Sequence, residues 1–391
     1  MSAPKQSGER PIPCPPEVLT LIAIIAILVL ALPLHNGQAD GSEKFSVKAI
    51  SLSVEHRNVQ YDKFLPDFVE KIVVTPEYAA FIASRTVWIK YRNKQPVPLS
   101  SLVKLPHGFD WYVSAHAVGN KLLISVGNYS EERRQKDLAT SRGGYIEGPK
   151  PAGMLLVQFG PAKAVLVSSI KVVKGRTQGD VQPEPAEIVP KFQSCFFDGK
   201  NLYIGEYGYL ARIDLDSMSG ELLELDEQMI SRLGIWKENS TLWYAADEGG
   251  MGGSWISKLN IKDRAPRSLM NYSIMNDGFT LPDSILRYKG RLLTSSLAGV
   301  VEIDENSKVF TQYQLTKDPK TMRVYRLSVI RDQLWGIRED GWVQFDLDKG
   351  KAVHYHLPGD PILNNIYSIG YFDGQWFIGT QRQVVRINED R

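Results

Sequence analysis

Several polar side chains stand in short turns that each follow an apolar run. Glu206 and Tyr207, Asp247 and Glu248, Arg338 and Asp340, and Arg382 occupy such turns, and Asp283 sits between Pro282 and Ser284. Carboxylates brought together can hold a divalent cation or move a proton, while guanidinium groups can clamp an anion or a peptide carboxylate. These eight are the candidate ligand-binding residues. Glu206, Asp247 and Asp283 are the carboxylates that a metal-dependent hydrolase or lyase would use, which is the alternative to plain binding. No residue is assigned a catalytic role. The chain has no Gly-x-Ser-x-Gly elbow, Walker loop, dinucleotide fingerprint or His-Glu-x-x-His.

Two other patterns carry less. His354 and His356 share one face of an outer strand, a spacing that suits a metal, but metal sites need three or four ligands and no third is evident nearby in the sequence. They read as surface residues, and no metal site is assigned to them. Gly249, Gly250, Gly252 and Gly253 form a flexible loop that lacks the Lys and the following helix of a phosphate cradle.

The elements that must position these groups repeat. A tetrad of an apolar or small residue, then Lys, Arg, Glu or Gln, then a large apolar residue, usually closed by Asp or Asn, returns seven times. Clear copies are Ala211-Arg212-Ile213-Asp214, Val301-Glu302-Ile303-Asp304, Val343-Gln344-Phe345-Asp346 and Val385-Arg386-Ile387-Asn388. An apolar run precedes each, and the later runs begin at Leu202, Leu242, Leu292, Leu334 and Trp376, a spacing of roughly 40 to 50 residues that suits propeller blades. Tight-turn pairs such as Asp198-Gly199, Lys289-Gly290 and Asp373-Gly374 separate strands that alternate with period two. The expected fold is all-β: a seven-bladed propeller of four-stranded antiparallel blades, with strands a to d running outward from the axis.

Blade 7 ends after its strand c, so a strand from near the N-terminus is expected to complete it, and Phe45 to Val54 alternates well enough to do so. In such a ring the b-c turns and d-a links share one face. The long excursions Asn128 to Pro151, Lys174 to Pro190 and Asp247 to Ser254 all fall there, and loops on a rigid scaffold are where binding residues gather. The candidate residues would rim this face above the central channel, where a divalent metal is the one cofactor in question. A protein, peptide or glycan is the expected partner.

Residues 1–17 form a polar leader, 18–34 an apolar run, 35–44 a linker and 45–391 the propeller. The run Val18 to Leu34 would make a helix of about 25 Å, at the short end of a membrane span. It is read as an uncleaved signal anchor or as a signal peptide cut after Ala39. Either places the propeller outside the cytoplasm, periplasmic, extracellular or secreted. A formal net charge of +2 offers no field for nucleic acid. The two cysteines, Cys14 and Cys195, flank the apolar run and are not expected to pair.

The stretch from Leu334 to Asp346, Leu-Trp-Gly-Ile-Arg-Glu-Asp-Gly-Trp-Val-Gln-Phe-Asp, resembles the repeat of periplasmic two-component-regulator propellers and of streptogramin-lyase-like propellers; Trp376 to Asn388 and Leu202 to Asp214 are similar. The resemblance extends over residues 70 to 391 and implies a propeller with an extracytoplasmic binding role. The lyase His and Glu positions find no match. Glu147-Gly148-Pro149 and Pro282-Asp283-Ser284 resemble short signatures of gluconolactonase-like propellers, which hold a divalent metal over the channel.

Overall fold

Strands form where β-branched and aromatic residues alternate, and the hairpins close where the backbone turns left-handed. Lys289 and Gly290 (φ +47° and +80°) and Asp373 and Gly374 (φ +56° and +76°) make such turns. The computed structural model describes residues 46–105, 111–127, 151–159, 163–167, 169–174, 185–188, 194–206, 209–225, 231–247, 254–262, 266–271, 284–296, 299–315, 324–358 and 365–388. These residues make seven sheets, each built on an antiparallel meander. Blade 1 spans Val69 to Pro98, blade 2 Trp111 to Val167, blade 3 Ser194 to Leu225 and blade 4 Ser231 to Asn271. Blade 5 spans Ile285 to Gln314, blade 6 Arg326 to His356 and blade 7 Ile366 to Asn388.

The core lies between blades, not inside any of them. One apolar cluster joins Ile82 and Ile89 of blade 1 to Leu122 and Ile124 of blade 2. The series continues around to Phe372 and Phe377 of blade 7, which pack on Ile72, Ala79 and Phe81 of blade 1. Seven clusters serve the seven interfaces, so the ring is closed.

The chain that seals it is not the segment expected. The N-terminal region forms three strands, β1 (Ser46–Ser51), β2 (Ser53–Asn58) and β3 (Asp62–Leu65). Only β3 completes blade 7, pairing antiparallel with Val384–Asn388. Phe45 to Val54 was expected there, but β1 instead runs parallel along the outer edge of blade 5 and β2 along that of blade 6. Alternation in sequence marks a strand without saying which edge takes it. Here Leu65, 4% exposed, supplies the buried anchor, packing with Phe377 and Val384, whereas β1 and β2 are mostly exposed.

A second correction concerns Lys174 to Pro190. Ile170–Lys174 pairs parallel with the outer strand of blade 3, and Pro185–Ile188 pairs antiparallel with Ile170–Lys174. Part of that excursion therefore covers a sheet edge and is not a loop. The other two long excursions and Val18 to Leu34 lie outside the described residues. Among the described residues no helix is long and apolar enough to cross a membrane.

The face carrying the a-b and c-d turns is stitched by ion pairs between neighbouring blades. Lys90 reaches Asp373 at 3.0 Å and Lys237 reaches Asp198 at 3.0 Å, while Arg287 pairs with Glu238 and Lys258 with Glu305. At Asp198 burial works against ionisation. The backbone N–H groups of Asn201 and Lys200 and the Lys237 ammonium outweigh it and hold the carboxyl at about 2.

Two outcomes follow. Leu65→Ala should lower the unfolding free energy by about 2–4 kcal/mol, whereas Val47→Ala on the outer strap should cost less than about 0.5 kcal/mol, read by denaturant titration. Because the folded Asp198 carboxyl lies below its unfolded value of 3.8, its contribution is present above that pH and is lost as pH falls toward 2. Asp198→Asn should remove roughly 1 kcal/mol at neutral pH, less than the full shift because solvent screens the pair, and should flatten the acid limb of a stability-pH curve.

Candidate functional site

The densest chemistry sits at the outer corner of blade 6. Strand b (Gln333–Arg338) and strand c (Gly341–Asp346) are joined by a two-residue turn. Gly341 begins strand c because nothing larger fits: a Cβ there would lie 2.1 Å from the Tyr355 carbonyl oxygen and 2.8 Å from His354 Nε2. The outer strand Lys351–His356 thus rides directly over the turn.

Arg338 is 2% exposed and grips Asp340 with two bonds, Nε to Oδ1 at 2.9 Å and Nη2 to Oδ2 at 3.0 Å. Burial lowers the Arg338 pKa, and Asp340 counters it. Burial likewise opposes charge on Asp340, yet His354 and Arg338 pull its carboxyl down to about 2. An ion pair therefore stands at the turn at neutral pH.

Register does the rest. His354 pairs across the ladder with Val343, so it points toward blade 5, as Val343 does. His356 lies two residues on and shares that face. On the other side, the parallel strand β2 sets His56 directly beside His354. Three imidazoles meet there: His56 Nδ1 lies 3.1 Å from His356 Nε2, and the His354 and His356 ring centres are 3.8 Å apart. His356 Nδ1 is 3.2 Å from the Asp340 carbonyl oxygen. His354 Nε2 approaches Asp340 Oδ1 at 3.4 Å, but neither of its ring nitrogens has a hydrogen-bond partner among the described residues. Burial lowers its pKa to about 4, against the upward pull of Asp340, so this ring is neutral at physiological pH.

The opposite face of blade 6 borders a cleft of about 360 Å³ against blade 7. Trp335, Trp342 and Tyr355 form one wall and Trp376 with Ile387 the other. Trp342 stacks on Tyr355 at 5.7 Å, and Trp335 lies 4.6 Å from Trp376. Arg57 of β2, Arg331 and Gln333 form the rim. Arg331 and Asp332 both hold left-handed backbone (φ +53° and +56°) in a turn where blades 5 and 7 place a glycine second, and the Arg331 guanidinium stacks over Tyr371 at 4.6 Å.

Of the residues singled out from sequence, Arg338 and Asp340 are brought together, and Asp340 also touches the histidines of strand d. Arg382 is exposed in the b-c turn of blade 7, its N–H directed to Thr380 Oγ1 at 3.4 Å. Glu206 and Asp247 end their strands at b-c turns, but their side chains, and Tyr207, Glu248 and Asp283 altogether, lie outside the described residues. His354 was expected at the surface and is 1% exposed, because the fifth strand covers it. Sequence reasoning missed His56 entirely. The signal available was its place in an alternating stretch, but pairing with a residue 298 positions away was invisible without the register.

No family model and no curated relative matches the chain. Solved structures do match in fold. The chain resembles the extracellular domain of BT4673 from B. thetaiotaomicron, assigned to the one-component systems, at 9% identity over 84% of this chain and 40% of that one, with a TM-score of 0.55. It resembles PorZ, a bacterial surface component of the type-IX secretion system of Porphyromonas gingivalis, at 11% identity over 83% and 37%, TM-score 0.52. It also resembles virginiamycin B lyase from Staphylococcus aureus, at 9% identity over 84% and 98%, TM-score 0.51. The chain spans about two fifths of the length of the first two. The fold is thus a propeller that resembles those of these proteins.

Asp340→Asn removes the carboxylate from one side of the buried Arg338 guanidinium and should cost about 1–3 kcal/mol, and the double variant Arg338→Met, Asp340→Asn should recover part of the loss in a denaturant titration.

Proposed function

We propose that this propeller works outside the cytoplasm as a docking platform for a protein partner. It is held at a membrane by Val18 to Leu34, or released if the chain is cut after Ala39. The observation that carries this reading is the cleft between blades 6 and 7. Tryptophan, tyrosine and arginine are the side chains that most often dominate protein interfaces, because they bury large area at low entropic cost while keeping a polar tip. Here three tryptophans, already packed in the seam between blades 6 and 7 (Trp335 4%, Trp342 3% and Trp376 9% exposed), form the floor of a groove that Tyr355, Arg57 and Arg331 also line.

A segment that fits this chemistry presents an apolar or aromatic side chain beside a carboxylate. The ring packs against the groove, and the partner's carboxylate competes with Glu55, which Arg57 already meets at 2.7 Å, and draws on Arg331, which also stacks on Tyr371. The sequence places residues 128–150 and 247–253 at b-c turns of blades 2 and 4, and we propose them as a second, separate contact for the same partner. Peptide and glycan partners share the aromatic chemistry, but two arginines favour an acidic protein segment.

The test is a pull-down from envelope extracts with cross-linking, followed by affinity measurement on the captured partner. Arg57→Glu with Arg331→Glu should weaken capture by about tenfold or more, while circular dichroism and unfolding remain those of the parent. Replacing residues 128–150 and 247–253 with short turns should weaken it further. An unchanged partner set in both variants defeats the proposal.

A further inference from the structure

We propose that His56, His354 and His356 bind one divalent transition-metal ion, of the zinc, nickel or copper type, that staples the N-terminal strap to blade 6. The three rings lie on the opposite face of blade 6 from the aromatic cleft.

The geometry points to this in three ways. One ring nitrogen from each histidine lies within 4.8 Å of the other two, and the 3.1 Å between His56 Nδ1 and His356 Nε2 is close to the roughly 3.3 Å that separates two nitrogens on a tetrahedral zinc with Zn–N bonds of about 2.0–2.1 Å. Next, His356 turns its other nitrogen to the Asp340 carbonyl at 3.2 Å, the outer contact by which a ligating imidazole is usually oriented. Last, the buried His354 ring leaves both nitrogens unsatisfied among the described residues. An unsatisfied nitrogen costs about 1–3 kcal/mol unless something completes it, and a metal would complete one of the two, Nε2 lying 3.4 Å from Asp340 Oδ1.

The donor set selects the ion. Three imidazoles without thiolate suit borderline cations and not calcium or magnesium, which take oxygen ligands. The nearest carboxylate, Asp340, is already held by Arg338, and it balances that guanidinium, so no net positive charge repels the ion.

The strap has reason to need a staple. β2 is exposed at five of its six positions, so little apolar burial holds it down.

The experiment uses the full chain in detergent, without a polyhistidine tag, stripped with chelator and titrated calorimetrically with zinc chloride, with magnesium and calcium chloride as controls. The expected result is one zinc per chain and no heat from magnesium or calcium. His56→Ala removes an exposed ring and leaves the blade packing intact; it should weaken zinc binding by about tenfold or more. Zinc should also slow proteolysis of residues 46–58 in the parent and not in that variant, and cobalt in its place should give the visible absorption of a low-coordinate nitrogen site. Absence of zinc binding, or undiminished affinity in His56→Ala, overturns the proposal.

Discussion

Each blade has two apolar faces and can bury neither alone. That constraint governs the molecule. A single twisted sheet such as Gln333–His356 presents Leu334, Val343 and Phe345 on one side and Trp335, Ile337 and Trp342 on the other, and both sets leave water only when a neighbour stands on each flank. Seven interfaces therefore depend on one another, and the last has to be made by chain ends far apart in sequence. β3 makes it through its ladder with Val384–Asn388, and Leu65 carries it into the core between blades 7 and 1.

Sealing the ring this way has a structural by-product. The chain that delivers β3 to blade 7 first passes along the outside of blades 5 and 6, and it does so as strands because those outer strands offer unpaired N–H and C=O groups. The added strands blunt two edges and bring new side chains to them. Arg57 reaches the aromatic cleft and His56 reaches the histidine pair on alternate faces of the same strand, one toward blade 7 and one toward blade 5. Both features of blade 6 are thus consequences of the route to closure.

Among the described residues, ion pairing differs between the two ends of the blades. Ion pairs between neighbours, Lys90 with Asp373 and Lys237 with Asp198 among them, cross the face of the a-b and c-d turns. On the opposite face of blade 6, Arg338 pairs with Asp340 within one turn. The first arrangement ties blades together. The second supports a corner where the backbone of Gly341 and the ring of His354 are in close contact.

Much of the architecture was legible in the chain because local properties set it. The tetrad from Val343 to Asp346, the Asp373-Gly374 turn and the alternation of Trp376 to Thr380 each encode a strand or hairpin through side-chain period and backbone φ, which need no distant partner. The same holds for Arg338 and Asp340, two residues apart across a tight turn. What no local property encodes is which edge a strand joins. Phe45 to Val54 alternates as a closing strand should, yet it lies on blades 5 and 6. Lys174 to Pro190 reads as a loop, yet Pro185–Ile188 pairs at an edge. His56 carries no mark of its neighbours, since register between strands 298 residues apart depends on which apolar faces are already buried. The sequence alone thus determined the strands, the turns and their sevenfold return; only the folded ring decided edge partners, the burial of His354 and the meeting of three histidines, because those are set by nonlocal burial and not by any residue's own preference.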